Sequence, residues 1–133
     1  MSVERYRHLR GSVSALTYHF VWCPKYRRKV LAGRVEVSLR ALIRAKTVEL
    51  YCEILALEVL PDHVHLFLKA PPTHAPQHIV NQIKGYTSHE LREKFPALKS
   101  RLPSLWSRSY YVGSAGAVSS ATIQKYIEQQ KES

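Results

Sequence analysis

Leu57-Glu58-Val59-Leu60-Pro61-Asp62-His63-Val64-His65-Leu66-Phe67-Leu68 is an apolar run broken once, by Pro-Asp. Proline presets the backbone at the first corner of a turn and aspartate tolerates the second. The break therefore reads as a turn between two strands, Glu53 to Leu60 and His63 to Lys69. Side chains on a strand alternate between faces, so His63 and His65 leave the same face. A lone histidine among aliphatics is ordinarily a core residue with satisfied ring nitrogens. Two at this spacing, directly after a turn, are close enough to share a divalent cation. A further ligand and the reactive group must then come from elsewhere in the chain.

Upstream, Ala15 to Cys23 is rich in aromatic and β-branched residues and reads as a first strand, ended by the basic cluster Pro24 to Lys29. The apolar stripe Val35, Leu39, Leu42, Ile43 and Leu50 predicts a helix from about Arg34 to Leu50. Downstream, Pro71, Pro72 and Pro76 interrupt the chain. Pro76 suits the first turn of a second helix, about Ala75 to Phe95, with Ile79, Ile83, Leu91 and Phe95 facing inward. Gly85 within it either weakens the helix or marks a close approach by another backbone. Leu105 to Gly113 reads as another strand, with Tyr110 and Tyr111 on opposite faces and Trp106, like Trp22, in the core. Gly113 to Ser120 is a small-residue connector, and Ser119 or Ser120 suits the cap of a final helix through about Gln130.

The order β-α-β-β-α-β-α is the split βαβ pattern of an α+β fold, ferredoxin-like or RRM-like. It predicts an antiparallel sheet with helices on one face, plus an added C-terminal helix. One domain is expected over residues 1–133, with a core at about 12–113, the connector at 113–120 and the last helix at about 120–130.

Twenty Lys+Arg against ten Asp+Glu give a net charge of +10, which points to a polyanionic partner, most simply nucleic acid. An acidic membrane surface is the weaker reading, because the basic residues do not gather on one amphipathic helix. Asp62 is the only aspartate, so two-carboxylate mechanisms and all-oxygen aspartate cages are poorly supported. Cys23 and Cys52 form no CxxC pair, and no run reaches membrane-spanning length. The expectation is a soluble, reduced, cytoplasmic protein that does not enter a membrane.

In the last helix Tyr126 and Gln130 are four residues apart and share a face. The plain alternative makes Tyr126 a packing aromatic and Gln130 a fraying end. A phenol is a poor nucleophile at neutral pH because its pKa is about 10. Attack on a phosphodiester also requires stabilised charge on the phosphoryl group. A cation such as Mg²⁺ or Mn²⁺, held by His63, His65 and the amide oxygen of Gln130, would supply that charge and bring the phenol to the same place.

With these residues in view, the chain resembles the HUH single-tyrosine (Y1) transposases of the IS200/IS605 insertion-sequence family. The matching stretches are Trp22-Cys23-Pro24-Lys25-Tyr26-Arg27, Pro61 to Leu66, Lys84-Gly85, Leu105-Trp106 through Tyr110-Tyr111, and Ile123 to Ile127. The resemblance implies metal ligands at His63, His65 and Gln130 and a nucleophile at Tyr126. Related replication initiators usually carry Lys where Gln130 stands, and relaxases place the tyrosine before the histidine motif. By the same resemblance the protein is expected to be a homodimer acting on single-stranded DNA with subterminal hairpins. It would cleave and rejoin strands through a 5′-phosphotyrosine intermediate, with active sites completed in cis or in trans.

Lys25, Arg27, Arg28 and Lys29 interleave with Tyr26, a mixture suited to a phosphate backbone plus base stacking. Arg40 and Arg44, one helical turn apart, extend this candidate DNA-binding set. His8, His19, His74, His78 and His89 lack a partner at ligand spacing and read as structural or surface residues. Three alternatives stand beside the transposase: a non-catalytic nucleic-acid-binding module on the same fold, a metal phosphoesterase using water, and a domesticated nuclease of repeat hairpins. His-x-His-x-His nucleotide hydrolases are set aside because residue 67 is Phe.

Overall fold

The structure, a computed structural model, describes residues 16–114 and 120–130. Its strands are β1 (Leu16–Trp22), β2 (Glu53–Leu60), β3 (His63–Ala70) and β4 (Tyr111–Ser114). Its helices are α1 (Arg34–Glu49), α2 (Pro76–Lys94), α3 (Pro96–Arg101) and α4 (Ser120–Gln129), and a 3-10 turn covers Lys25–Arg27. The sheet order is β2-β3-β1-β4 with every neighbouring pair antiparallel. Strands β1 and β2 are thus parallel, joined through α1, with β3 inserted between them. This is the expected ferredoxin-like split βαβ arrangement.

Alternation on the two central strands explains the layers. Phe20 and Trp22 from β1, with Val64, Leu66 and Leu68 from β3, are fully buried against Leu39 and Ile43 of α1 and Ile79, Ile83 and Leu91 of α2. Each such side chain contributes about 1.5–3 kcal/mol of burial free energy. The intervening residues, Val21 and Cys23 from the first strand and its end, with His63, His65 and Phe67 from β3, face the other way. Helix α4 covers one end of that second face, with Ile123 and Ile127 buried on Val21 and Cys23, and Tyr111 and Tyr126 at the margin.

The β2–β3 hairpin closes through Pro61-Asp62, with Leu60 paired to His63. Gly33 precedes α1 at φ +59°, a conformation that side-chain-bearing residues rarely adopt. Helix α1 ends in a Schellman motif. Cys52 N–H bonds the Thr47 carbonyl at 2.8 Å and Tyr51 N–H bonds that of Val48 at 3.0 Å, with Tyr51 at φ 59°.

Two readings from sequence need correction. The strand expected over Leu105 to Gly113 is confined to Tyr111–Ser114. Its first half finds other backbone partners: Lys25 N–H bonds the Leu105 carbonyl at 2.8 Å, Ser107 N–H bonds Cys23 at 2.9 Å, and Trp106 forms an isolated bridge with Pro24. Helix α3 was not anticipated; Pro96 starts it and Leu98 seals its inner side. Of the two options for Gly85, close backbone approach is not what the fold uses, since a Cβ there would meet nothing within 4 Å. Residues 115–119 of the expected connector, with the candidate cap Ser119, and the N-terminal edge of the expected core lie outside the described residues; Ser120 is the first residue of α4.

Candidate active site

His63 and His65 emerge side by side, with ring centroids 4.9 Å apart and planes at 73°. Each has its Nδ1 atom engaged. His63 Nδ1 lies 2.8 Å from Asp62 Oδ1, and the other oxygen of Asp62 is 3.0 Å from Arg27 Nε. His65 Nδ1 lies 3.1 Å from His19 Nε2. Ligating imidazoles characteristically give their second ring nitrogen to such a partner, which fixes tautomer and orientation. Nδ1–H of His63 donates to the Asp62 carboxylate, and in the tautomer where Nδ1–H of His65 donates to His19 both Nε2 atoms are left for a ligand. Burial, with the neighbouring His63 and His19 adding to it, pushes the His65 pKa down to about 4. At neutral pH its ring is therefore uncharged, the form that binds metal.

The tyrosine half is a second hydrogen-bonded cluster. Ser109 Oγ donates to Gln130 Oε1 at 2.9 Å and lies 3.2 Å from the Tyr126 hydroxyl. A serine has one proton, so with Gln130 as acceptor the phenol donates to Ser109. Gln130 is itself buried, at 5% exposure, and its Nε2 donates to the Tyr126 carbonyl at 3.4 Å. Burial pushes the Tyr126 pKa up to about 12, with the Ser109 hydrogen bond pulling partly back. In this arrangement the nucleophile candidate is a protonated phenol.

Beneath this cluster Lys84, 9% exposed, donates to the carbonyls of Ser107 at 2.8 Å and Ser109 at 3.0 Å. Burial lowers its pKa to about 8. Two features tie the clusters together. Arg27 ion-pairs with Asp62 and also donates to the Ile127 carbonyl of α4 at 3.5 Å. Cys23, packed on α4, has its thiol pushed up to about 12 by burial first and then by Asp62, while Arg27 and Lys84 pull it back. Tyr126, Gln130, His63 and His65 therefore serve one face of the sheet, although the hydrogen bonds keep the tyrosine and histidine pairs as separate clusters. Among the described residues no set of three or more His, Cys, Asp or Glu side chains is poised to hold a metal. Besides the histidine pair, the Gln130 amide oxygen has a lone pair beyond the one given to Ser109.

The basic residues divide by environment. Tyr26 and Arg27 sit in the left-handed region, at φ 59° and 53°, and this turn projects Tyr26 to 43% exposure with Lys25 Nζ 5.3 Å from its ring centroid. Arg28 and Lys29, joined by Arg101 of α3, line a cavity of about 420 Å³. Arg40 pairs with Glu36 at 3.1 Å and reaches the Leu57 carbonyl, while Arg44 is exposed beside the α1–β2 junction. Arg27 is engaged within the fold.

Sequence reasoning passed over His19, Lys84 and Ser109. His19 falls in the same alternating set as Val21 and Cys23, a usable signal once β1 is aligned with β3. Lys84 and Ser109 fell within stretches that match the family pattern, but no role could be read for them, because their partners lie 17 to 25 residues away along the chain.

Residues 12–130 match the family described as "Transposase IS200 like". The chain is 40% identical over 123 residues to the ISDra2 transposase TnpA of Deinococcus radiodurans, covering 91% of this chain and 88% of that protein. It is 34% identical over 117 residues to the transposase for insertion sequence element IS200 of Salmonella typhimurium, covering 86% and 76%. Among solved structures, a putative transposase from Deinococcus radiodurans superposes with a TM-score of 0.85 at 38% identity, over 93% of this chain and 97% of that one. A REP-associated tyrosine transposase bound to a REP hairpin shares the fold, with a TM-score of 0.58 at 19% identity over 85% and 62%.

Proposed function

Since the chain belongs to the IS200/IS605 family of single-tyrosine transposases, we propose that Tyr126 is the nucleophile of its DNA strand transfer and that His63, His65 and Gln130 form the metal site. The family's activity is tyrosine-mediated cleavage of single-stranded DNA, and it is this chain's activity. The observation that carries the residue assignment is the paired histidines, Nδ1 atoms engaged and Nε2 atoms left for a ligand, on the sheet face that α4 overlies.

The Tyr126 oxygen attacks the scissile phosphorus. A phosphotyrosine bond forms at the 5′ side, the P–O3′ bond breaks, and the leaving oxygen takes a proton to become a free 3′-OH. One phosphodiester is exchanged for another, so a second 3′-OH can reverse the step on a new strand and restore the phenol without ATP. His63, His65 and Gln130 would hold Mg²⁺ or Mn²⁺, which when bound would supply Lewis-acid charge to the phosphate. The Arg27–Asp62 pair orients His63, and His19 orients His65. Burial holds the phenol protonated until substrate arrives, and its hydrogen bond to Ser109 must open before attack.

Lys25, Tyr26, Arg28 and Lys29 form a cationic and aromatic surface suited to DNA, with Arg27 anchoring the turn and Arg40 and Arg44 on the α1 side. The REP-hairpin-bound neighbour supports end hairpins as the specific ligand. Helix α4 is docked mainly through Ile123 and Ile127, a small contact compatible with exchange between two protomers of a homodimer and completion of the site in trans. Among the described residues no helix is long and apolar enough to cross a membrane.

The test is a single-stranded oligonucleotide carrying a candidate end hairpin, incubated with Mg²⁺ or Mn²⁺ and resolved under denaturing conditions. A covalent protein–DNA adduct is expected, absent in Tyr126→Phe and strongly reduced in His63→Ala and His65→Ala. An adduct persisting in Tyr126→Phe overturns the nucleophile assignment. Cleavage without any adduct points to water attack instead.

A further inference from the structure

The sheet face beside the histidines has a feature that strand transfer, as described above, does not use. Antiparallel register places Ala56, Phe67 and His19 in one row across β2, β3 and β1, with Glu58 and His65 paired in the row beside it. These residues line a cavity of about 320 Å³. Ala56 creates the depression, because its methyl group stands where a longer side chain would cover Phe67. It comes opposite Phe67 through a register shift between Ile54 and Ala56. Phe67 and His19 form the aromatic floor, with centroids 5.9 Å apart in an edge contact.

Each wall selects for the same kind of ligand. Half-buried aromatic rings on the two central strands, open to the cavity, are a stacking surface, and any nucleobase offers a π-face. The Glu58 carboxylate repels phosphate, so the cavity suits a base rather than the backbone. The same carboxylate accepts a hydrogen bond from an exocyclic amino group, present on adenine, cytosine and guanine but not thymine. His65 belongs both to this cavity and to the candidate metal pair, so the occupant would be a nucleotide close to the scissile phosphate. At about 320 Å³ the space takes a single base, at the lower end of small-molecule pockets.

We propose that the Ala56–Glu58–Phe67–His19 cavity is a nucleobase subsite, which stacks one unpaired, amino-bearing base of the DNA strand next to the cleavage point. This rests on the strand-transfer reading above. The test uses full-length protein in EDTA, so that binding is read without cleavage. Hairpin-tailed single-stranded oligonucleotides carry 2-aminopurine, or an abasic residue, at one position at a time around the cut site.

One position is expected to show strong quenching of 2-aminopurine, lost in Phe67→Ala and kept in Phe67→Tyr. Phe67→Ala should weaken binding of the intact strand about tenfold, and should leave the strand that is abasic at that position unaffected. Glu58→Gln, an exposed change that leaves the core untouched, should reduce the preference for an amino-bearing base over thymine there about fivefold. Equal loss on intact and abasic strands, or quenching indifferent to Phe67, overturns the subsite. So does an unchanged base preference in Glu58→Gln. An adduct at Tyr126 with no such position would refute the subsite alone, whereas quenching without any adduct would refute the strand-transfer reading and leave the subsite standing.

Discussion

Lys84→Met should leave stability almost unchanged at pH 7 and make the variant progressively less stable than wild type as pH rises. The Lys84 ammonium is buried, and its two hydrogen bonds go to the Ser107 and Ser109 carbonyls. Lowering of its pKa from 10.5 to about 8 corresponds to about 3 kcal/mol against the charged form in the folded state. Methionine removes that penalty but leaves the carbonyl of buried Ser107 without its donor, at a cost of about 1–3 kcal/mol. The two effects nearly cancel at pH 7.

The pH dependence separates them. The unfolded lysine keeps its proton until about pH 10.5, whereas the folded one releases it near pH 8. Between those values the unfolded state binds more protons, so wild-type stability rises with pH. The gain is absent below pH 8 and complete above 10.5. From pH 7 to pH 9 wild type should gain about 1 kcal/mol on Lys84→Met. The cysteines, whose raised pKa values act in the opposite direction above pH 9, are present in both proteins; Cys52 cancels in the difference, and losing Lys84 only raises Cys23 further, beyond the range measured. Urea unfolding followed by tryptophan fluorescence at pH 7, 8 and 9 measures it. A difference that stays flat or shrinks with pH would refute the burial of a strained ammonium under the Ser107–Ser109 segment.

Three further outcomes follow from the same geometry. His19→Ala should weaken Mn²⁺ binding about tenfold by calorimetry, as loss of a ligand's orienting partner typically does, while His19→Gln, which keeps an acceptor near His65 Nδ1, should retain most of it. Ile127→Ala should speed hydrogen exchange in α4 while leaving the β3 amides protected, because that helix is docked by a contact separate from the main core. Leu66→Ala, at the fully buried centre of β3, should cost about 2–5 kcal/mol in urea unfolding, and a loss under 1 kcal/mol would contradict the packing.

Local pattern carried much of the fold. Val64, Leu66 and Leu68 alternate with His63, His65 and Phe67, and that period alone distinguishes core from outer face on β3. The stripes Leu39-Ile43 and Ile79-Ile83-Leu91 did the same for α1 and α2. The pattern failed over Leu105 to Ser109, where aromatic content favours a strand. There the backbone groups are bonded by Lys25, Cys23 and Lys84, residues brought in from distant parts of the chain. Strand propensity is a weak preference, and specific long-range hydrogen bonds overrode it.

The candidate site divides along the same line. The spacing of His63 and His65, and of Tyr126 and Gln130, follows from residue periods of strand and helix, so the amino-acid order alone determined that each pair shares a face. Which partners those pairs meet depends on register and docking. His19 reaches His65 only because β1 lies antiparallel to β3 with Val21 opposite His65. Ser109 reaches Tyr126 and Gln130 only because Lys84 holds an irregular segment beneath α4. Contacts within a turn or a strand are set by local geometry. Contacts between elements are set by how the whole sheet and its helices exclude water, and that is where the orientation of the histidines and the protonated state of the tyrosine were decided.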